Sequence, residues 1–212
     1  MRESFRTVRR EAEAEFTEKN SRFIGICRPI EEEADALVLL EDARVRYPEA
    51  RHYVYAWRTD VPVQLQRMSD DGEPQGTGGR QVLSVLDNAD IDRAAIVVVR
   101  YFGGILLGTG GLSRAYARAA REALEAAEPL TYVRCQTYRM ATDYATFHQL
   151  GARLEREGFF TETPTYGAEV TQVVGATFDR IEQLCALVMD MSSGEATLEP
   201  AGDRWLPMPR SS

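Results

Sequence analysis

Glycine is concentrated in this chain where it constrains the backbone most. Gly72, Gly76, Gly78, Gly79, Gly103, Gly104, Gly108, Gly110 and Gly111 are nine of the sixteen glycines. They lie in two segments, SDDGEPQGTGG at 69–79 and RYFGGILLGTGGLSRAY at 100–116. Glycine weakens helices and strands alike, so folds place it where the backbone turns with positive φ or approaches a neighbour closely. The second segment stands between the apolar run Ala94 to Val99 and an alanine-rich helical pattern from Leu112. A buried strand, a glycine loop and a helix start in that order expose backbone N–H groups that can hold an anion.

Composition narrows the classes that remain. The chain has 212 residues, 44% of them hydrophobic, enough to bury one or two cores. No apolar run exceeds the six residues of Ala94 to Val99, far fewer than the roughly 20 that span a bilayer. The opening MRESFRTVRREAEAEF lacks the apolar centre of a secretion signal, so a cytoplasmic protein with no membrane role is expected. Three widely spaced cysteines, Cys27, Cys135 and Cys185, suit reduced thiols rather than a disulfide frame or a zinc site. A net charge of −8 argues against coating nucleic acid by bulk charge. Yet no acidic residue falls between Asp92 and Glu122, while Arg93, Arg100, Arg114, Arg118 and Arg121 all do. A local cationic site in an acidic protein points to one specific anionic contact.

The hydrophobic periodicity predicts strands over 5–16 and 22–30, a helix over 32–46 and a strand over 52–58. A short helix around 81–86, a buried strand at 94–102 and a helix over 112–127 follow. Glu128-Pro129-Leu130 ends that helix, glycines become scarce, and a boundary is placed there, giving domains 1–129 and 130–212. Beyond it the pattern predicts strand 134–142, helix 144–157, strands near 159–165 and 168–175, helix 178–191 and strand 195–199. This βαββαβ order is that of a ferredoxin-like domain.

The candidate site residues come from the two glycine segments. Segment 103–111 lacks the lysine and hydroxyl of a Walker A loop and the spacing of a dinucleotide loop. What remains is an anion-cradling turn, with Gly103, Gly104, Gly108, Gly110 and Gly111 shaping it and Arg114 in the first helical turn. Arg118 and Arg121 have acidic partners at i+4 and are read as paired. Arg114 has none, and Arg100 interrupts an apolar strand. Asp70, Asp71 and Glu73 have no EF-hand spacing; they either pair with the arginines or supply a base. His52 has no nucleophile elbow near it and reads as a buried histidine, as His148 reads as surface. No catalytic residue, metal site or cofactor is expected.

These segments resemble the YigZ/IMPACT family. The resemblance rests on Ser21-Arg22-Phe23-Ile24, His52 with Tyr55-Ala56, Ser69-Asp70-Asp71-Gly72-Glu73-Pro74 and Gly76-Thr77-Gly78-Gly79. It continues through Arg100-Tyr101-Phe102-Gly103-Gly104 and Gly108-Thr109-Gly110-Gly111-Leu112-Ser113-Arg114-Ala115-Tyr116. Leu106 departs from it, since family members usually carry lysine there. The resemblance implies an α+β fold: a ribosomal-protein-like (domain 2-like) N-terminal domain, then a ferredoxin-like domain, together resembling two domains of EF-G. It also implies a non-enzymatic, translation-associated protein whose partner is RNA, the ribosome, a translation-associated protein or another phosphate-like anion. Arg22, Arg100, Tyr101 and Arg114 would form the binding surface, with the carboxylate loop setting their positions. The alternative is a small-molecule hydrolase, with His52 and the Asp70, Asp71 and Glu73 carboxylates reacting and Arg100 and Arg114 holding an anionic substrate.

Overall fold

The computed structural model describes residues 3–60 and 63–208. It is a mixed α+β structure with two sheets and five α-helices among those residues. The chain divides into two compact units, one of Phe5–Thr131 and one built from Tyr132 onward together with Ser4 and Glu3.

The first unit holds an antiparallel sheet in the order β2 (Ala12–Glu18), β3 (Ser21–Pro29), β6 (Ala94–Tyr101), β4 (His52–Thr59), β5 (Leu65–Ser69). Side chains alternate across a pleated strand, and β6 sends them into two cores. Ile96 and Val98 pack with Phe23, Val54, Leu86, Leu112 and Tyr116 beneath α2 (Gly79–Asn88) and α3 (Gly108–Ala126). Val97 and Val99 pack with Ile24, Ile26, Leu39 and Trp57 beneath α1 (Glu33–Arg46). Burial on both faces is why β6 reads as an unbroken apolar run. Gly25 of β3 is where α3 lies closest to the sheet, since a Cβ there would stand 2.3 Å from the Ala119 carbonyl oxygen.

The second unit contains β7 (Pro129–Thr142), α4 (Tyr144–Arg156), β8 (Phe160–Thr161), β9 (Thr165–Tyr166), β10 (Val170–Thr177), α5 (Ile181–Met191) and β11 (Thr197–Pro207). Its strands run in the order β11-β7-β10-β8, with β9 also on β10. Asp143 caps α4, accepting from the Ala145 and Thr146 N–H groups. The core gathers Met140, Leu150, Leu154, Val174, Leu184 and Val188.

Three expectations need correction. The predicted strand over 5–16 is broken into β1 (Ser4–Val8) and β2, where the Arg9 N–H turns to the Ala127 carbonyl 3.0 Å away. β5 was not anticipated, because it is an edge strand with mostly exposed side chains and no apolar alternation. The helix expected from 112 begins at Gly108. Gly108, Gly110 and Gly111 are therefore its first turn rather than a loop, and Arg114 is its seventh residue rather than part of that turn.

Candidate anion-binding site

Strand parity assembles the first half of the site. Ser21, His52 and Arg100 lie at one end of the sheet, on the face covered by α2 and α3, with His52 in register with Arg100. Glu73 reaches them from the acidic loop, and Tyr116 from α3. Glu73 and Arg100 are both buried, 8% and 4% exposed. Arg100 Nη1 donates to Glu73 Oε1 at 2.5 Å, and the Tyr116 hydroxyl donates to the same oxygen at 2.7 Å. Arg100 Nη2 donates to Ser21 Oγ at 3.3 Å, and the Gly103 N–H donates to that oxygen at 3.2 Å. Burial, reinforced by the Glu73 carboxylate, pushes the Tyr116 phenol well above its ordinary value.

His52 Nδ1 stands 2.7 Å from the Asp71 carbonyl, which only accepts, so Nδ1 carries the proton. Its Nε2 is 3.7 Å from Glu73 Oε1. Asp71 adopts a φ of +44° and accepts the Tyr53 N–H at 2.6 Å. Asp70 accepts three N–H groups, Gly76 at 2.8 Å and Gly78 and Gly79 at 2.9 Å each. Its carboxylate fills the positive N-terminal end of α2 as a built-in anion. All three carboxylates are thus bonded to the protein's own donors, and Arg100 is engaged within the fold.

Arg22 and Tyr101 belong elsewhere. Opposite parity puts them on the α1 face, paired in register, with the Arg22 guanidinium 5.7 Å from the Tyr101 ring. Arg22 also grips Glu15 with two bonds of 3.0 and 2.7 Å, which holds that carboxyl below its ordinary value. The Tyr101 hydroxyl donates to the Pro48 carbonyl. These two do not share a surface with the buried cluster.

The N-terminus of α3 is the opposite of that of α2. No side chain caps it and its first turn holds no acid. Gly104 and Gly108 have φ of +83° and +73°, with nothing within 4 Å of an added Cβ. At Gly110 a Cβ would stand 3.5 Å from Arg114 Nη1, so the exposed arginine folds back along the first turn. Among the described residues no carboxylate pairs with Arg114. Arg118 does bond Glu122 at 2.7 Å, as expected, but no bond joins Arg121 to Glu125. In front of this turn stand Phe102, Ile105 and Leu106, 38%, 47% and 81% exposed. Such an apolar tip was not expected from the residue pattern. Arg51, exposed, lies 5.6 Å from the Phe102 ring. Ser21, Tyr116 and Arg51 were not singled out as site residues; Ser21 shares the face of Arg100 only through the β3–β6 register.

Gly103 fixes where the tip begins. A Cβ there would lie 2.0 Å from the Asn20 carbonyl carbon, so the segment presses directly on the turn between β2 and β3. Among the described residues no group of His, Cys, Asp and Glu is arranged to hold a metal ion. No helix there is long and apolar enough to cross a membrane.

A sheet end that gathers two glycine segments around a buried Glu–Arg pair defines the class, a mixed α+β protein with glycine turns at two helix starts. The family model of the Impact N-terminal domain matches residues 19–124. The chain belongs to the IMPACT family. It is 32% identical to an IMPACT family member of Haemophilus influenzae over 183 residues, 85% of this chain and 89% of that one. It is equally 32% identical to IMPACT family member YigZ of Escherichia coli over 182 residues, 85% and 89% of the two chains. A solved structure described as a hypothetical protein matches with a TM-score of 0.60 and 30% identity, over 94% of this chain and 98% of the other.

Proposed function

We propose that this is a non-enzymatic, cytoplasmic, translation-associated binding protein that holds a phosphate-bearing partner, RNA or a ribosomal surface, at the start of α3. The contrast between the two helix starts carries the reading. α2 is closed by its own Asp70 carboxylate, whereas α3 is left uncapped with an unpaired arginine lying along its first turn. A cation beside the positive end of a helix is unfavourable unless an anion sits between them. Arg114 and the first-turn N–H groups would supply that anion's ligands, and the 102–106 tip would add apolar contact. The finer fold belongs to the same reading. We take the units as ribosomal-protein-like and ferredoxin-like modules over 1–129 and 130–212, resembling two domains of EF-G; the β11-β7-β10-β8 order supports the second. The hydrolase alternative has less support, because Glu73, Asp70 and Asp71 already serve internal donors.

The test is fluorescence anisotropy with a labelled single-stranded RNA at several salt concentrations. Arg114→Ala is expected to weaken binding uniformly across sequences and to reduce the logarithmic salt slope by about 1. Binding that is insensitive to salt, or unchanged by the substitution, rejects the reading.

A further inference from the structure

The helix pair of the second unit carries a groove unrelated to the glycine segments. Along α4, Gln149, Ala152, Arg153 and Arg156 fall at i, i+3, i+4 and i+7, so they form a single stripe. Leu187 and Met191, one turn apart on α5, face that stripe. Together these six residues line a groove of about 470 Å³, within the roughly 300–1,000 Å³ of small-molecule sites.

Its two walls differ in chemistry. The α5 wall is apolar, and Leu187 and Met191 are only partly covered. The α4 wall is cationic, inside a part of the chain where acids predominate: from residue 132 onward there are eleven Asp and Glu against seven Arg. Arg156 is exposed, and among the described residues no carboxylate pairs with it. Arg153 is held by a single ion pair, Nη2 to Glu157 Oε1 at 2.8 Å. Its Nε is buried and has no acceptor. A buried donor without a partner is a costly arrangement, and an acceptor arriving in the groove would relieve it once the guanidinium turned. The Glu157 carboxylate also accepts from Gln183 Nε2 at 3.4 Å, and Arg180 donates to the Glu157 main-chain carbonyl.

We infer that the groove between α4 and α5 binds an amphipathic anion. A carboxylate or phosphate head would lie against Arg153 and Arg156, whose planar forks suit either group. An unbranched alkyl tail would run over Ala152 between Leu187 and Met191. The stripe rises about 10 Å from Gln149 to Arg156, so the tail is of medium length.

The test is titration of the isotopically labelled full chain, followed by amide NMR, with octanoate, octyl phosphate and neutral octyl glucoside below their micellar concentrations. Saturable shifts at 149–156 and 187–191 with the anions, and binding at least tenfold weaker with the neutral amphiphile, support the inference. The stronger of the two anions then identifies the head group. Arg156→Gln, at an exposed position, is expected to weaken the anions about tenfold and to leave octyl glucoside unchanged. Met191→Ser should reduce the affinity for octanoate, so the tail is tested separately from the head. Equal binding of the neutral amphiphile, shifts elsewhere only, or an unaffected Arg156→Gln variant would overturn it.

Discussion

Glu73 is the residue on which the end of the first sheet depends. Replacing it with alanine removes the acceptor of both Arg100 and Tyr116 while leaving the guanidinium 4% exposed. Breaking a buried ion pair from one side costs about 3–5 kcal/mol, because a charge is left without compensation. With a urea m-value of roughly 2 kcal/mol/M, that is a midpoint lower by about 2 M. Tyr116→Phe removes one bond to the carboxylate and should cost less, about 1–2 kcal/mol. The double substitution Glu73→Leu with Arg100→Met removes both charges and should recover much of the loss. The assay is urea unfolding followed by tryptophan fluorescence in a Trp205→Phe background. That leaves Trp57, buried in the first unit and stacked on Tyr55, as the only tryptophan. A Glu73→Ala cost under about 1 kcal/mol, or a double variant as unstable as Glu73→Ala, refutes the argument that an uncompensated charge sets the magnitude.

Further expectations follow from the same geometry. Gly103→Ala should be severely destabilising, because its Cβ would overlap the Asn20 backbone, whereas Gly104→Ala should cost only about 1–2 kcal/mol of left-handed strain; similar midpoints for the two would contradict this. Asp70→Ala strips the α2 start of its cap and should cost about 2 kcal/mol in urea unfolding; an unchanged midpoint would contradict this. Burial and the Glu13 carboxylate raise the Tyr47 phenol to about 12, and Tyr116 is also raised. Both phenols therefore keep their protons in the folded chain after the unfolded chain has lost them. Burial raises the Cys27 thiol in the same way, so stability should hold below pH about 8.5 and fall as the pH rises toward 12, with Tyr116→Phe flattening the upper part of the decline; a flat or rising profile would count against it.

Much of the architecture is legible in the sequence because its signals are local. β6 and α3 declare themselves through an unbroken apolar run and 3.6-residue spacing, and the family motifs mark both glycine segments; α1 shows no such face, since Leu37, Val38 and Val45 are exposed while Ala36, Leu39, Leu40 and Ala43 are buried. What escaped depended on partners distant in sequence. β5 exists only because β4 offers it an edge, so nothing in Leu65–Ser69 announces a strand. Arg100 looked available because an arginine in an apolar run has no nearby acid; its partner Glu73 is 27 residues away. Arg22 and Tyr101 looked like neighbours of Arg100 because they flank the same motifs, yet pleating sends them to the other face. Parity is readable from sequence once register is known, and register is what one sequence withholds. The start of α3 was misplaced for a different reason: three glycines suggest a loop, and here they form a helical turn.

The contact between Gly103 and the Asn20 backbone separates two kinds of freedom. The root of the 102–107 segment is locked against a hairpin turn, so it cannot drift without moving β2 and β3. Beyond it, Gly104 has empty space around it and Leu106 touches almost nothing. Positions 105 and 106 therefore behave as an interchangeable cassette. New side chains there alter what the molecule presents to a partner without repacking the core. The side chains displayed at these two positions can then change while the buried charge cluster and the sheet stay as they are.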